Sequence, residues 1–273
     1  MIATTIPLRT CISPSSAGLV RMKQGRGEPL FLADWERVLM IHFAVAADAL
    51  QPVVPFKLDL WEGSAYVSLV AFTLRGMRPR RGGRLAAWLL KPIATHDFLN
   101  VRTYVQHDGD PGIHFLAEWL SNRLAVKLGP DTFSLPYRFG RITYQHDWQR
   151  QELFGRVEDA ATAAVFAYQA ELESGVRFAT CEAGSRDEWL MERYTAFNAA
   201  GGRSRYFRVW HQPWPQCPAK LEWLETALLK TNWPWFEGAK LVGSNYSPGL
   251  RDVWLGWPRA VRTGANPLQI DRA

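Results

Sequence analysis

Cysteine and long apolar runs are scarce in this 273-residue chain, and each shortage excludes a class of protein. The three cysteines, Cys11, Cys181 and Cys217, are widely separated and include no Cys-x-x-Cys pair, so neither a disulfide framework nor a zinc knuckle is indicated. No stretch reaches the roughly 18 apolar residues of a membrane span, and residues 1–30 contain no signal-peptide core. We therefore expect a cytoplasmic protein that has no membrane partner.

Common nucleotide-binding and hydrolase motifs are also absent. The chain has no G-x-G-x-x-G after a strand, no G-x-x-x-x-G-K-[ST], no H-E-x-x-H and no G-x-S-x-G, so we expect neither a nucleotide cofactor nor a catalytic metal. Adjacent His and Asp residues occur three times, as His96-Asp97, His107-Asp108 and His146-Asp147. Metal ligation or a catalytic dyad is one interpretation, but neighbours on a strand point to opposite faces, which favours solvated turns.

The composition is otherwise that of a globular protein with a basic surplus. Hydrophobic residues make up 47% and charged residues 21% of the chain, enough for a sizeable core. The formal charge of +6 favours an anionic partner. Five arginines cluster in RGMRPRRGGR: Arg75, Arg78, Arg80, Arg81 and Arg84. We interpret this stretch as an exposed loop that is either solvated or in contact with phosphate; without interleaved aromatic residues, nucleic acid is not the expected partner.

Local patterns predict the domain organisation. A high content of Ser, Gly and Pro indicates a loosely structured lead over residues 1–30, followed by one domain over residues 31–262 and a tail over residues 263–273. A helix is predicted behind Asp34, because four residues have helical spacing: Trp35, Val38, Leu39 and His42. On this apolar stripe His42 is expected to be buried and hydrogen-bonded.

Two antiparallel strand pairs are predicted next. FKLDLW and SAYVSLVAFTL flank Gly63 and indicate a hairpin. NVRTYV alternates strictly, so Asn100, Arg102 and Tyr104 share one face. The turn formers of QHDGDPG predict that this strand pairs with GIHFLAEW.

A short helix and another strand follow. SNRLAVKLGP predicts a helix that Ser121 or Asn122 caps and that the Gly-Pro step at 129–130 ends. The strand that leaves this step should point Tyr137 and Arg138 to opposite faces.

The remaining segments give mixed signals. Residues 151–175 fit either a helix or a strand. Ser185 and Glu188 form a capping box before WLMERYTAF, which predicts a helix. A last helix is indicated in LEWLETALLK by three leucines at helical spacing: Leu221, Leu224 and Leu228.

This order of elements lacks a regular βαβ alternation, which favours an α+β fold with a largely antiparallel sheet or barrel. If the strands surround one cavity, six polar or aromatic residues meet on its wall: Asn100, Arg102, Tyr104, Glu118, Tyr137 and Arg138. A buried arginine is costly unless a carboxylate or an anionic ligand accompanies it. Arg102 is therefore expected to pair either with Glu118 or with a ligand.

Several motifs, taken in their order, resemble the YqjF-like family of bacterial proteins of unknown function. They are NVRTYV, GIHFLAEWLSNRLA, FSLPY, MERY and VWHQPWP, and the resemblance spans roughly residues 35–258. That family is distantly similar to the acetoacetate decarboxylase-like superfamily. The resemblance implies an α+β fold in which a cone-shaped, mostly antiparallel β-barrel with flanking helices encloses a ligand cavity.

The resemblance also locates the segment in which the decarboxylases carry a Schiff-base lysine, within a Gly-x-Pro-Lys-Lys step. SLPYRF places Pro136 on that proline, and Tyr137 and Arg138 on the two lysine positions. Tyrosine has no amine and arginine stays protonated, so Schiff-base decarboxylation is not expected from these residues. Lys127 is expected on the surface of the short helix, and Phe98 replaces a glutamate that many relatives carry.

Two functions compete at this point. The first is binding of a small anionic organic molecule, such as a carboxylic acid, with lysine-independent acid/base chemistry on a keto or hydroxy acid as an extension. Its site residues are Asn100, Arg102, Glu118, Tyr137 and Arg138. Tyr137 is the catalytic candidate, as an acid or hydrogen-bond donor whose pKa a neighbouring arginine lowers, unless it only fills space.

The second function is a non-catalytic interaction or structural module, in which side chains plug the barrel and the basic loop contacts a partner. A Schiff-base enzyme that uses another lysine is a third alternative. The oligomeric state, a homo-oligomer included, is left open by the sequence.

Overall fold

The structure is a computed structural model that describes residues 12–261, with only the backbone at 130–132. The strands in this part of the chain are β1 (Phe31–Val45), β2 (Lys57–Leu58), β3 (Ala65–Pro79), β4 (His96–His107), β5 (Asp110–Leu120), β6 (Tyr137–Asp147), β7 (Glu152–Asp159), β8 (Val165–Glu171), β9 (Thr195–Ala200), β10 (Arg203–Trp210), β11 (Cys217–Pro218), β12 (Lys220–Glu225), β13 (Lys240–Leu255) and β14 (Arg259–Ala260). The α-helices are α1 (Pro14–Gln24), α2 (Ala47–Leu50), α3 (Gly83–Leu90), α4 (Arg123–Phe133), α5 (Arg186–Met191) and α6 (Ala227–Asn232), and short 3-10 helices occupy Gln51–Val53, Lys91–Ile93 and Pro234–Gly238.

All of these strands belong to one mostly antiparallel sheet. Its main path runs β12-β8-β7-β6-β5-β9-β10-β13-β1-β3-β4-β2, and a further pairing joins β4 to β5. This pairing closes a circuit of seven strands: β5, β9, β10, β13, β1, β3 and β4. The strands β6, β7, β8 and β12 continue outward from β5, to which β6 is joined by a short parallel ladder.

The core divides between the two faces of this circuit. Successive side chains of a strand point to opposite faces, so Leu99 and Val101 of β4 enter one apolar cluster while Phe98 and Tyr104 enter the other. The first cluster is covered by β7, β8 and α6. The second cluster surrounds the cavity described below.

Strand β1 occupies the segment for which we predicted the first helix. Arg37 has a positive φ of 56°, and the pairing register with β3 shifts beside it. Such a β-bulge inserts one extra residue, so Trp35 and Val38 both enter the cavity-side cluster although they are three positions apart. The prediction that His42 is buried and hydrogen-bonded is confirmed, since its Nδ1 lies 2.6 Å from Ser68 Oγ.

Helix α1 lies within the segment that we predicted as a loose lead. Ser13 caps its first turn, and Gly18 packs so closely on the Tyr194 ring that a Cβ there would overlap it. The prediction was therefore wrong for this helix, because the Ser and Gly residues serve capping and close packing. The predicted tail, residues 263–273, and residues 1–11 lie outside the described residues.

The predicted hairpin around Gly63 is wrong, because β2 and β3 do not pair with each other. Strand β2 pairs with β4, and a single bridge between Trp61 and Ser64 closes the turn at Gly63. Strand β3 instead runs between β1 and β4. The predicted antiparallel pairing of β4 with β5 is confirmed, with Asn100 opposite Glu118.

Helix α4 continues to Phe133, beyond the Gly-Pro step at which we predicted its end. Asn122 caps it as predicted, since Oδ1 accepts two backbone N–H groups of the first turn at 3.0 Å each. Gly129 is needed for close approach and not for a left-handed turn, because a Cβ there would overlap the Tyr137 ring. The helix therefore lies directly on Tyr137.

Other segments resolve the ambiguous or mistaken predictions. Residues 151–175 form the strands β7 and β8. Helix α5 begins at its capping box as predicted, with Glu188 N donating to Ser185 Oγ at 3.2 Å, but it ends before the strand β9 begins. Leu221 and Leu224 lie in strand β12, whose register with β8 shifts after Leu221, so a second bulge produces helical spacing.

The basic segment is a loop only in part. Arg75 and Arg78 belong to β3, where Arg75 pairs with Glu36 at 2.7 Å and Arg78 with Asp34 at 3.4 Å. The prediction of an exposed loop is therefore wrong for these two residues. Three arginines remain exposed where the chain turns into α3: Arg80, Arg81 and Arg84.

The adjacent His-Asp residues likewise differ from the prediction of solvated turns. His96 and His146 are buried on the strands β4 and β6, whereas Asp108 occupies a turn with φ of 50° as expected. Within residues 12–261, no cluster of three or more His, Cys, Asp or Glu side chains is arranged to hold a metal. None of the helices in that range combines the length and the apolar character that crossing a membrane requires.

Candidate functional site

A cavity of about 340 Å³ lies on the inner face of the closed circuit. Residues opposite each other on neighbouring strands share a face and touch, so β3 and β4 supply the wall in matched pairs. These pairs are Leu74 with His96, Phe72 with Phe98, and Val70 with Asn100. The wall is mostly apolar, with one polar region and four further polar lining residues, His96, Arg193, Thr195 and His211.

One row across neighbouring strands builds that polar region. Val70 lies opposite Asn100, Asn100 opposite Glu118, and Glu118 opposite Tyr137 through the parallel ladder of β5 and β6. Arg102 follows Asn100 by two positions and therefore lies on the same face of β4. Four of the five predicted site residues thus line one cavity: Asn100, Arg102, Glu118 and Tyr137.

Arg138 lies outside this cavity. Its side chain is exposed, donates to Asn232 Oδ1, and lies 5.3 Å from the centre of the Trp119 ring. As the neighbour of Tyr137 on one strand it points to the opposite face. Arg138 is therefore not brought together with the other four predicted site residues.

The expected alternative of an Arg102–Glu118 ion pair is also not formed. Arg102 donates to Leu190 O at 3.2 Å and lies 3.6 Å from Met40 Sδ. Glu118 Oε1 instead accepts from Asn100 Nδ2 at 3.2 Å. Arg102, Asn100 and Glu118 thus each use only some of their hydrogen-bonding atoms in contacts with the protein.

One further polar atom of each of these side chains is buried and finds no partner in the described part of the chain. Arg102 Nε, Asn100 Oδ1 and Glu118 Oε2 have no hydrogen-bond partner among the described residues, and their side chains belong to residues only 8%, 8% and 3% exposed. The indole N–H groups of Trp35 and Trp214, which also line the cavity, are unpaired as well. An unsatisfied buried polar group costs about 1–3 kcal/mol, so this cluster is suited to a polar partner from outside the chain.

Burial also determines the protonation of the site. It raises the pKa of Glu118 to about 8, against the opposing effect of the Asn100 hydrogen bond. Burial and the charge of Glu118 raise the pKa of Tyr137 well above 10. The prediction of a lowered Tyr137 pKa was wrong, because desolvation and the neighbouring Glu118 carboxyl group both oppose ionisation of the hydroxyl. Near neutral pH both groups therefore carry a proton that they can donate.

A buried hydrogen-bonded chain beneath Arg102 was not found by sequence reasoning. His42 Nδ1 lies 2.6 Å from Ser68 Oγ, Ser68 Oγ lies 2.5 Å from the Tyr104 hydroxyl, and Tyr104 donates to Leu190 O at 2.9 Å. Burial, with the charge of Arg102, lowers the pKa of His42 to about 3, so this ring is neutral. These hydrogen bonds link β1, β3 and β4 to Leu190, whose carbonyl also accepts from Arg102.

His96 is one of the lining residues that sequence reasoning missed. Its residue is 8% exposed, its ring lies 4.7 Å from that of Phe98, and it makes no hydrogen bond of standard geometry to a described residue. Burial lowers its pKa to about 4, which the Ile93 backbone partly offsets. The sequence pattern could have identified His96, because His96 and Phe98 extend toward the N-terminus the same alternation that places Asn100 and Arg102 on one face.

The described wall of the cavity contains no lysine. Lys127 is exposed on α4, as predicted. Formation of an imine with a keto acid requires an amine within reach, and no described lining residue supplies one.

Solved structures of acetoacetate decarboxylase-like enzymes resemble the fold of this chain. The acetoacetate decarboxylase of Legionella pneumophila matches with a TM-score of 0.59 and 12% identity, over 86% of this chain and 88% of that one. The enduracididine biosynthesis enzyme MppR, solved in complex with pyruvate, matches with a TM-score of 0.57 and 12% identity, over 87% and 93%. The chain has an acetoacetate decarboxylase-like fold, built mostly of strands with some helices.

The family assignment agrees with the motifs of the sequence. The DUF2071 family, described as an uncharacterized conserved protein, matches residues 32–248, and the chain belongs to this family. The uncharacterized protein YqjF of Bacillus subtilis (strain 168) is 29% identical over 182 residues, which are 66% of this chain and 72% of YqjF. The resemblance drawn from the motifs is thereby confirmed.

Proposed function

We propose that this protein binds a small organic anion, specifically a carboxylic acid, in its inner cavity. The observation that carries this proposal is that Asn100, Arg102 and Glu118, which each keep an unpaired buried polar atom, lie together on the wall of one mostly apolar cavity. Arg102 supplies the positive charge for a carboxylate. The unfilled volume of about 340 Å³ favours this function over a plugged structural module.

The proposed architecture is a cone-shaped barrel formed by the seven-stranded circuit around the ligand. Its support is the unbroken series of pairings from β5 through β9, β10, β13, β1 and β3 to β4. Interior-facing residues of a small barrel either fill it or enclose one small ligand.

Lysine-independent acid/base chemistry on a keto or hydroxy acid is the reaction that this site would support. Glu118 has a pKa near 8, which suits exchange of a proton near neutral pH. Tyr137 keeps its proton and would donate a hydrogen bond to the carbonyl or hydroxyl oxygen of the ligand.

Calorimetric titration and thermal shift with a panel of monocarboxylic and keto acids test the binding function. We expect acids that stabilise the wild type to lose about 10–100-fold in affinity for Arg102→Ala, because a hydrogen-bonded charge is removed. Arg138→Ala removes the same charge from the outer face and should bind like the wild type. Failure of every acid to bind the wild type would overturn the proposal and favour the interaction module.

A further inference from the structure

We infer that the ligand is an elongated carboxylic acid, with its carboxylate at Arg102, a flat apolar body along Phe98, and a second polar group at His96. This inference rests on the proposed function and adds the chemical class of the ligand. It follows from the order of the inward residues on β4, which is His96, Phe98, Asn100 and Arg102.

The distance between the two polar ends fixes the length of the ligand. At about 3.3 Å per residue, His96 lies about 13 Å from Asn100 and about 20 Å from Arg102 along β4. An acid of three carbons spans only roughly 5 Å by standard bond lengths. It would satisfy the polar region at Arg102 and leave most of the cavity empty.

The middle of the cavity is shaped for a flat apolar body. Phe72 and Phe98 stack with ring centroids 5.1 Å apart and an interplanar angle of 6°. The Tyr137 ring stands edge-on to Phe98 at 6.1 Å, and Leu74 lies beside His96 in the cross-strand pairing. Aromatic surfaces in this arrangement favour an aromatic or extended aliphatic group between the polar ends.

His96 is the lining residue of β4 that lies farthest along the strand from Arg102. The lining residues that remain partly or largely exposed include Leu90, Ile93 and Leu128, which lie at the end of α3, in the following 3-10 helix and on α4. His96 follows Ile93 by three positions and is buried without a hydrogen bond of standard geometry. A neutral imidazole both donates and accepts, so it can pair with a hydroxyl or carbonyl at the outer end of the ligand.

Titration of matched aromatic acids tests this inference. The probes are propionic, butyric and hexanoic acids that carry a terminal phenyl or a terminal para-hydroxyphenyl ring. In the wild type we expect affinity to rise about threefold to fourfold per added methylene. The para-hydroxyl group should strengthen binding of the hexanoic acid about three- to tenfold.

Two variants separate the role of His96 from that of Arg102. His96→Phe keeps the aromatic contact with Phe98 and should bind the phenyl acid normally while losing the gain from the hydroxyl. His96→Gln keeps a hydrogen-bonding group and should retain part of the gain. Arg102→Ala should weaken binding of every acid alike.

The outcomes distinguish the two proposals. Equal affinity for short and long acids, or an undiminished hydroxyl effect in His96→Phe, would overturn the elongated ligand while leaving carboxylate binding intact. The chain-length series needs only the wild type, so it decides the question even if a His96 variant fails to fold. Binding of no acid of any length would overturn the proposed function itself.

Discussion

Glu118 is mostly protonated near neutral pH because it is buried. It lies between Asn100 and Tyr137 in one cross-strand row, where water cannot solvate its anion, and its pKa rises to about 8. The site near neutral pH therefore combines the cationic Arg102 with neutral donors, which is the electrostatic environment that a carboxylate ligand requires.

The ionisation of Glu118 should make stability depend on pH. Its folded pKa lies above its unfolded pKa of 4.5, so stability falls as pH rises between 4.5 and about 8. Urea unfolding between about pH 7 and 8.5 should show a more negative slope of stability against pH in the wild type than in Glu118→Gln. The buried histidines are neutral when folded and take up protons when unfolded near pH 6.5, which adds the same rising slope to both proteins, so the difference between the two isolates Glu118. Glu152→Gln, at an exposed position on β7, should keep the slope; an unchanged slope in Glu118→Gln would contradict the assignment.

Gly129 should be essential for the position of Tyr137. Gly129→Ala places a Cβ on the Tyr137 ring, so we expect a loss of about 1–3 kcal/mol in the free energy of unfolding, although alanine alone would favour a helix by about 1 kcal/mol. Gly238→Ala, where nothing lies within 4 Å of the new Cβ, is the control. Equal denaturation midpoints for the two variants would show that this contact is unimportant.

The sequence was sufficient to predict that Asn100, Arg102, Glu118 and Tyr137 lie together, but not that Arg138 lies elsewhere or how these groups are protonated. Strict alternation in NVRTYV and its pairing with GIHFLAEW bring Asn100 opposite Glu118. The pKa of Glu118 depends on how completely its surroundings exclude water. That exclusion requires α4 to lie on Tyr137, a contact between segments that no local pattern encodes.

At the scale of elements, β-bulges account for the two mistaken helices. The extra residue at Arg37 in β1, and the register shift after Leu221 in β12, change the two-residue period of a strand to a local spacing of three. Apolar residues spaced by three and four are also the mark of a helix. Periodicity alone could not separate the two cases, whereas the regular strand β4 was predicted correctly.

Asn122 should stabilise two elements, α4 and the 3-10 helix Lys91–Ile93. Its Oδ1 caps α4, and its Nδ2 donates to Pro92 O in the 3-10 helix at 2.7 Å. Asn122→Ala loses both interactions and should cost about 1–2 kcal/mol in chemical denaturation. Asn122→Asp keeps the cap and should cost less. If both variants were equally destabilised, the cap would contribute nothing.

At the scale of the whole molecule, the cavity is a source of instability in the absence of ligand. Several buried polar groups around it are only partly satisfied, and such groups lower stability relative to apolar side chains of similar size. A fold optimised for stability alone would fill this space with apolar side chains. Retention of the cavity is therefore consistent with binding as its purpose.

Arg102→Met should make the ligand-free protein more stable by about 1–3 kcal/mol, while abolishing its response to carboxylic acids. The substitution removes the hydrogen bond from Arg102 to Leu190 O, but this carbonyl keeps a second hydrogen bond, from Tyr104. Arg193→Met is the matched control, because buried Arg193 pairs with Asp59 at 2.7 Å, and its loss should destabilise the protein. Calorimetric melting measures both effects, and a lower melting temperature for Arg102→Met would contradict this account.

The pairing of β1 with β13 has a consequence for the order of events during synthesis. Phe31 lies opposite Leu255, so residues from nearly the two ends of the described chain must meet before the circuit closes. Strands β1, β3, β4 and β5 leave the ribosome long before β13 and can form only an open sheet with an exposed apolar face. The cavity therefore does not exist on the nascent chain, and a ligand can stabilise this protein only after β13 has been made.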